Sequence, residues 1–424
     1  ANNYDFSYTN GALAITAAPL TITGANANPT YSGVAQTNSV ATVTGIKGST
    51  DSFTITGYGT GTNAGTYNDT LVATAAGATR AANYDITISN GALTIGKANA
   101  TVTANSANPT YTGQAQSVTG FTASGLVNNE TAAVLTGVTA SGATGTNAGT
   151  YTNTVTGTDS NYNLTLVNGA LTIAKANATV TANSANVTYN GNDQSVAGFT
   201  ASGLVNSETA AVLTGVTASG ATGKNYGTYT NTVSGTDGNY NLTLVDGTLS
   251  VAKAGLTVVG ANATPTYSGV AQTNSVATVT GIQGSSDSFT ITGYGTGTNA
   301  GTYNDNLVAT ATGTTQAANY NITYTNGSLA IGKATLTVTA DNKTKVYGDT
   351  NPSFTATITG YVNGEGSSAI SGAPAMSTTA TQYSNVASYA ITPVVGTLAA
   401  NNYDFSYTNG ALAITAAPLT ITGA

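Results

Sequence analysis

Residues 161–175 read NYNLTLVNGALTIAK. Apolar and polar side chains alternate on both sides of Asn168-Gly169, the period-two pattern of strands with one buried face. Asn-Gly between two such runs is the strongest short-range hairpin signal, because a type I′ turn needs positive φ at both central residues. The pattern therefore predicts a hairpin here, and again at Asn10-Gly11, Asn90-Gly91, Asp246-Gly247, Asn326-Gly327 and Asn409-Gly410. Upstream lies a Gly-Thr-Tyr step, at Gly65-Thr66-Tyr67, Gly149-Thr150-Tyr151, Gly227-Thr228-Tyr229 and Gly301-Thr302-Tyr303, followed by a Thr- and Val-rich strand. Ala387-Ser388-Tyr389 stands there near the end of the chain. A glycine followed by a large apolar residue marks the middle of each period, at Gly45-Ile46, Gly125-Leu126, Gly203-Leu204, Gly281-Ile282 and Gly360-Tyr361. Strands separated by turns every 8–12 residues or so, about six or seven per period, predict an antiparallel sandwich. A parallel β-helix would show a period nearer 20–30 residues and no Asn-Gly turns.

The periods are near-copies. PTYSGVAQTNSVATVTGI at 29–46 returns at 265–282, and TAAVLTGVTASGATG at 131–145 returns at 209–223. Residues 1–25 return letter for letter at 400–424. The expected units are 19–98, 99–176, 177–254, 255–334 and 335–417. Residues 1–18 read as the closing hairpin of a preceding unit and 418–424 as the start of another, so the stretch resembles one cycle of a longer tandem array. Unit two ends ALTIAK and unit three begins ANATVTAN, with no Pro-, Gly- or Ser-rich linker between. Two or three joining residues predict neighbours that touch and restrict each other's angle, a stiff rod. Strands of eight to ten residues give domains roughly 40 Å long.

Composition narrows the function. Only 6% of residues are charged, against about 25% in an ordinary globular chain. With no Cys and no His, a disulfide framework, a thiolate metal site and the commonest general base are excluded. A net charge of −7 with nine basic residues argues against nucleic acid, which needs clustered Lys and Arg. No apolar run approaches the roughly 18 residues of a membrane-spanning helix, and no signal peptide is visible.

Lys345-Val346-Tyr347-Gly348-Asp349-Thr350-Asn351-Pro352, Gly360-Tyr361-Val362-Asn363-Gly364 and the closing NYDFSYTNGALAI resemble the YGX type of MBG domain. Units one to four, with PTYSG, PTYTG or VTYNG near the start and GTY later, resemble the related MBG and YDG-type domains. The resemblance implies a tandem array of small immunoglobulin-like antiparallel β-sandwich domains, of the kind found in large, often adhesin-like, bacterial surface and secreted proteins. It carries no catalytic residues.

Three recurring side chains are candidates for a site. The Tyr of NY[DN], at Tyr4, Tyr84, Tyr162, Tyr240, Tyr320 and Tyr403, could stack on sugars. Recurring in every unit, it reads instead as a structural tyrosine with a buried ring and a hydroxyl bonded to backbone. One acid follows the mid-unit glycine, at Asp51, Glu130, Glu208, Asp287 and Glu365. Calcium wants six to eight oxygens, usually with several carboxylates together, so a lone acid reads as a turn or capping residue. Lys97, Lys175, Lys253 and Lys333 stand at unit ends. A Lys–Asn isopeptide needs both partners and an acid in a dry core; a boundary Lys reads as solvated, shielding a strand edge. The carboxylates are scattered without paired partners, so no catalytic, cofactor-binding or metal residue is assigned, and no cofactor. The expectation is a non-enzymatic extracellular scaffold, the stalk of a giant bacterial adhesin or the body of a surface filament or sheath. Its partners are its own neighbouring repeats, with lateral association into filaments as an extension. The alternative is an array binding glycans or surfaces weakly at many points.

Overall fold

The computed structural model describes residues 2–422. Among them are strands, five single-turn 3₁₀ helices and no α-helix. One strand pattern repeats five times. In its second copy an opening strand, Ala98–Ala104, lies between two partners. Phe121–Ser124 runs antiparallel to it, with Val102 opposite Ala123. Tyr162–Val167 runs parallel, with Ala98 opposite Tyr162. Ala98, Ala100, Val102 and Ala104 are all buried and alternate with more exposed neighbours, as a one-sided strand requires. The second layer holds the closing strand Gly169–Ile173, antiparallel to Gly149–Asn153. The Gly-Thr-Tyr step opens that partner strand.

The parallel pairing recurs between Ala18–Gly24 and Tyr84–Ser89, Ala176–Ala182 and Tyr240–Val245, Ala254–Gly260 and Tyr320–Thr325, and Ala334–Ala340 and Tyr403–Thr408. After its opening strand the chain continues into the second layer, where Ala107 and Thr110 bridge, again in parallel, to Leu171 and Ala174. The first and last segments of a repeat thus run side by side through both layers.

The Asn-Gly reading needs correction. Tyr162–Val167 and Gly169–Ile173 do not pair with each other; each belongs to a different layer. Asn168-Gly169 is a layer crossing, and neither residue has positive φ. Glycine is required there for closeness: a Cβ on Gly169 would collide with the carbonyl oxygens of Asn105 and Ala104. Gly91, Gly247, Gly327 and Gly410 meet the corresponding backbone in the same way. The preceding residue holds the crossing with its side chain. Asn168 Oδ1 accepts from Val155 N at 3.0 Å, Asp246 Oδ1 from Val233 N at 2.9 Å and Asn90 Oδ1 from Leu71 N at 2.9 Å.

Cores are shared across the joins between repeats. Leu93 and Ile95, which close the first repeat, share one cluster with Ala98, Val102, Leu135 and Tyr162 of the second. Leu249 and Val251 likewise pack with Leu256 and Tyr320, and Leu329 and Ile331 with Leu336 and Tyr403. The second half of one repeat and the first half of the next bury each other. The chain accordingly divides into two compact units that split the third repeat: residues 1–181, 199–217 and 234–245, and residues 182–198, 218–233 and 246–424.

Residues 2–17 form no strand, and Tyr4 and Tyr8 are each 88% exposed. The same letters at 401–416 supply the strands Tyr403–Thr408 and Gly410–Thr415.

Candidate functional site: tyrosine–carboxylate clasps at the repeat junctions

The mid-repeat glycine starts the site. Gly125 has φ +80, and Gly45, Gly203, Gly281 and Gly360 are also positive, a region open to glycine. The tight turn that follows places Asn128 and Asn129 at φ 51 and 59 and closes with Glu130 N donating to Val127 O. This turn aims Glu130 at the preceding repeat.

There Glu130 meets two tyrosines. Oε1 accepts from the Tyr31 hydroxyl at 2.6 Å and Oε2 from the Tyr162 hydroxyl at 2.5 Å. The Tyr162 hydroxyl itself accepts from Val127 N at 3.0 Å. The rings of Tyr31 and Tyr162 meet edge to face, with centroids 5.3 Å apart. Three further copies follow. Glu208 joins Tyr111 and Tyr240, Asp287 joins Tyr189 and Tyr320, and Glu365 joins Tyr267 and Tyr403, each across an edge-to-face ring pair. Both donors bind an ionised acceptor in a partly dry place, where charge-assisted bonds are short and strong.

The electrostatics agree. Hydrogen bonding to Glu130, with burial, pushes the Tyr31 hydroxyl up to about 12, and Tyr111 rises to about 12 beside Glu208 for the same reasons. Burial and the bond to Asp287 raise Tyr189 to about 12. Burial works against ionisation of Asp287, but the hydroxyls of Tyr320 and Tyr189 hold it below its ordinary value. Tyr267 and Tyr403 lower Glu365 likewise.

A second clasp uses asparagines. Asn161 Oδ1 accepts from Ala64 N at 3.0 Å, and its Nδ2 donates to Asn63 Oδ1 at 3.2 Å. Asn147 and Asn239, Asn225 and Asn319, and Asn299 and Asn402 repeat the pair. Asn128 Nδ2 also donates to Gly33 O at 3.2 Å.

Each candidate residue now has a place. The recurring Tyr is structural, and its hydroxyl bonds backbone as expected, but it also donates to the recurring acid. Tyr4 lies in the exposed segment. The recurring acid is more than a turn residue: it joins two repeats, except for Asp51, which among the described residues bonds one tyrosine, Tyr84, at 2.6 Å. The boundary lysines are exposed, as a solvated Lys would be, and their tips also find partners. Lys97 Nζ donates to Asp159 O and Lys175 Nζ to Asp237 O, both at 2.7 Å, and Lys333 reaches Ala400 O at 3.3 Å. Lys253 lies over the Tyr226 ring, 5.0 Å from its centroid. Among the described residues no three acidic, His or Cys side chains gather as a metal cluster.

The clasp partners Tyr31, Tyr111, Tyr189 and Tyr267 were hidden in the PTY and VTY motifs. Spacing gives no hint that a tyrosine pairs with an acid almost a hundred residues on. Also missed were Asn153 and Asn231, fully buried, which tie the two halves of their repeats. Asn153 Nδ2 donates to Asn105 O and Oδ1 accepts from Gly142 N. In the first and fourth repeats Asp69 and Asp305 stand there, paired with Asn38 and Asn274. The signal was the recurrence of Asn or Asp two residues after the Tyr of GTY.

Fold and site together define an all-β tandem-repeat protein whose recurring polar side chains join repeat to repeat. The model of the MBG domain (YGX type) matches residues 100–172, 178–250 and 336–413, more than half of the chain, and the chain belongs to that family. No curated protein matches. Two of the solved structures that match follow. The N-terminal eight Ig domains of Down Syndrome Cell Adhesion Molecule share 10% identity, over 94% of this chain and 70% of that one, at a TM-score of 0.15. Drosophila N-cadherin EC1-4 shares 10%, over 63% and 84%, also at 0.15. At that score neither superposes closely, and neither bears on function. Among the described residues no helix is long and apolar enough to cross a membrane.

Proposed function

We propose that the chain is a passive extracellular spacer, a segment of the stalk of a bacterial adhesin or of the body of a surface filament, and not an enzyme. One observation carries this reading. The recurring polar side chains are spent on neighbouring repeats: both oxygens of Glu130, Glu208 and Glu365 accept tyrosine hydroxyls. A site that binds something else keeps such groups free. The recurring Tyr of NY[DN], the candidate for stacking on sugars, is buried in these clasps, Tyr162 and Tyr240 at 2% exposure. Cores shared between successive repeats also resist bending within each compact unit, which suits a spacer.

Small-angle scattering of the 424-residue chain tests the reading. An extended particle is expected, shortened or made flexible when Glu130, Glu208 and Glu365 are changed to Ala. A compact wild-type particle, or a freely jointed one, would count against a spacer. Glycan panels on the same chain address the alternative, and saturable binding at sub-millimolar concentration would favour it.

A further inference from the structure

The four junction clasps hold tyrosines in pairs. The rings of Tyr31 and Tyr162, Tyr111 and Tyr240, Tyr189 and Tyr320, and Tyr267 and Tyr403 lie 5.3–5.4 Å apart between centroids, at 76–84°. In each pair both hydroxyls donate to one carboxylate, and the two rings come from successive repeats. These eight tyrosines are 1–6% exposed. The composition decides where an oxidant acts on such a chain. Cys and Met are the side chains that oxidation ordinarily reaches first. Here there is no Cys, no Trp and one Met, Met376, half-buried in the fifth repeat. The 24 tyrosines are therefore the groups that lose an electron most readily.

An oxidised tyrosine must also lose its hydroxyl proton. Losing it beforehand is disfavoured, because the hydroxyls of Tyr31, Tyr111 and Tyr189 are pushed up to about 12. Electron and proton therefore leave together, and the proton's acceptor is already in place. Glu130 Oε1 lies 2.6 Å from the Tyr31 hydroxyl, within the reach that a general base needs. An electron crosses a few ångströms of protein, so the rings need no exposure to be oxidised. Two rings already in contact also meet each other far sooner than a ring of another molecule, since fixing the partners makes a bimolecular step unimolecular. A further ring contact, Tyr361 with Tyr403 at 6.0 Å, has no shared carboxylate among the described residues.

We propose that Tyr31–Tyr162, Tyr111–Tyr240, Tyr189–Tyr320 and Tyr267–Tyr403 are sites of oxidative cross-linking, where a one-electron oxidant joins the two rings of a junction by a carbon–carbon bond. Each tyrosine gives an electron to the oxidant and its hydroxyl proton to the shared carboxylate, which passes it to water. The two tyrosyl radicals couple at ring carbons ortho to oxygen, and the rings tip from edge-to-face to edge-to-edge as the bond forms. The hydrogens on those two carbons then move to the oxygens and restore both hydroxyls. The pair has lost two electrons and two protons. The oxidant is of the class that a peroxidase generates from hydrogen peroxide, which takes up the same two electrons and two protons as it becomes water. The product is a covalent staple between successive repeats. It depends on the clasp geometry and not on the spacer reading.

Photo-oxidation of the 424-residue chain by tris(bipyridine)ruthenium and persulfate tests it, at about 1 µM so that molecules seldom meet. Tryptic digestion and mass spectrometry should find residues 1–47 linked to 98–175, 98–175 to 225–253, 176–224 to 254–333 and 254–333 to 346–424, each pair lighter by two hydrogens. Fragmentation should place the bonds on the clasp tyrosines. The same illumination in concentrated urea, which separates the rings, should lower all four at least roughly tenfold. Tyr31→Phe should abolish the first link and leave the other three, which report that the rest of the chain is folded. Glu130→Gln keeps an acceptor but removes the base, and should lower the first link at least roughly tenfold while leaving the others. Links that join mainly the exposed Tyr226 or Tyr383 of different molecules, or clasp tyrosines that oxidise without pairing, would overturn the staple. So would a first link as abundant in Glu130→Gln as in the wild type.

Discussion

At the level of single residues the junction depends on an acceptor shared by two donors. Glu130 accepts from the Tyr31 and Tyr162 hydroxyls alike, and each holds the carboxylate for the other. Hydrogen bonds to a charged group contribute about 1.5–3 kcal/mol. Tyr31→Phe should therefore lower unfolding free energy by about 1–2 kcal/mol. In a double-mutant cycle with Glu130→Gln the two losses should fall short of additive, because they remove one network. Chemical denaturation followed by tyrosine fluorescence reads both. The clasp also sets a pH window. Tyr31, Tyr111 and Tyr189 have folded values raised from 10 to about 12, so their contribution is complete below about pH 10 and disappears as pH rises to 12. Asp287 and Glu365 are lowered, so theirs is fully present above the ordinary carboxylate range and is lost as pH falls from there through their lowered values. Melting temperature against pH should show a plateau with a fall on each side. A flat profile from pH 8 to 12 would contradict the tyrosine assignment. Gly169 shows how far the letters reach. Alternation marked its two flanking strands correctly, and Asn-Gly marked a change of direction. Whether two adjacent strands pair or part into separate layers depends on what else lies beside them, and that is set by the opening strand some seventy residues earlier. Gly169→Val should still destabilise, by about 1–3 kcal/mol, but through collision with Asn105 and Ala104. Gly255→Ala, with open space around the new methyl, is the control and should be nearly silent.

At the level of elements the chain performs its own comparison. NNYDFSYTNGALAITA occurs twice, at 2–17 without strands and at 401–416 as two strands. Alternation and Thr- and Tyr-rich composition are therefore necessary here but not sufficient. Strand propensity mostly measures fit to a half-buried surface, and among the described residues none pairs with 2–17. At 403–415 the opening strand Ala334–Ala340 and the strand Ser388–Val394 provide that surface. The converse holds for APLTITG, a buried strand at 18–24 beside Tyr84–Ser89, whereas Pro418–Thr422 is strandless and exposed. Limited chymotrypsin digestion should cut at Tyr4, Phe6 and Tyr8 well before Tyr403, Phe405 and Tyr407. Cleavage at equal rates would mean that the two copies share one state. The repeats, the all-β class and the strand-opening role of Gly-Thr-Tyr were legible because each is written locally. The parallel pairing of the first and penultimate strands was not, because alternation is the same for either direction.

At the level of the whole molecule, the sequence period and the packing period are out of step. The letters repeat from opening strand to closing strand. The cores repeat from the middle of one repeat to the middle of the next, so Leu93 and Ile95 lie with Val102 and Tyr162. A string of independent domains would confine the damage from a core mutation to one repeat. A chain with shared cores passes it across the boundary, as in arrays whose stability is a sum of unit and neighbour terms. Leu93 is 1% exposed, and truncating such a leucine costs about 2–5 kcal/mol. Leu93→Ala should therefore speed amide exchange in Ala98–Ala104 and Tyr162–Val167 of the second repeat as well as in Gly65–Asn68, its own partner strand. Ser328–Ile331, far along the chain in the other compact unit, should be unaffected. Exchange mapped by peptide mass after short deuterium pulses distinguishes the cases. Protection lost only within 18–95 would restore the independent-domain reading, and the clasps would then be surface contacts between finished domains. Loss on both sides of Lys97 would make the junction itself the folding unit. The near-absence of linkers then has a physical cause: inserting flexible residues at Gly96-Lys97 would pull apart a core as well as a pair of neighbours.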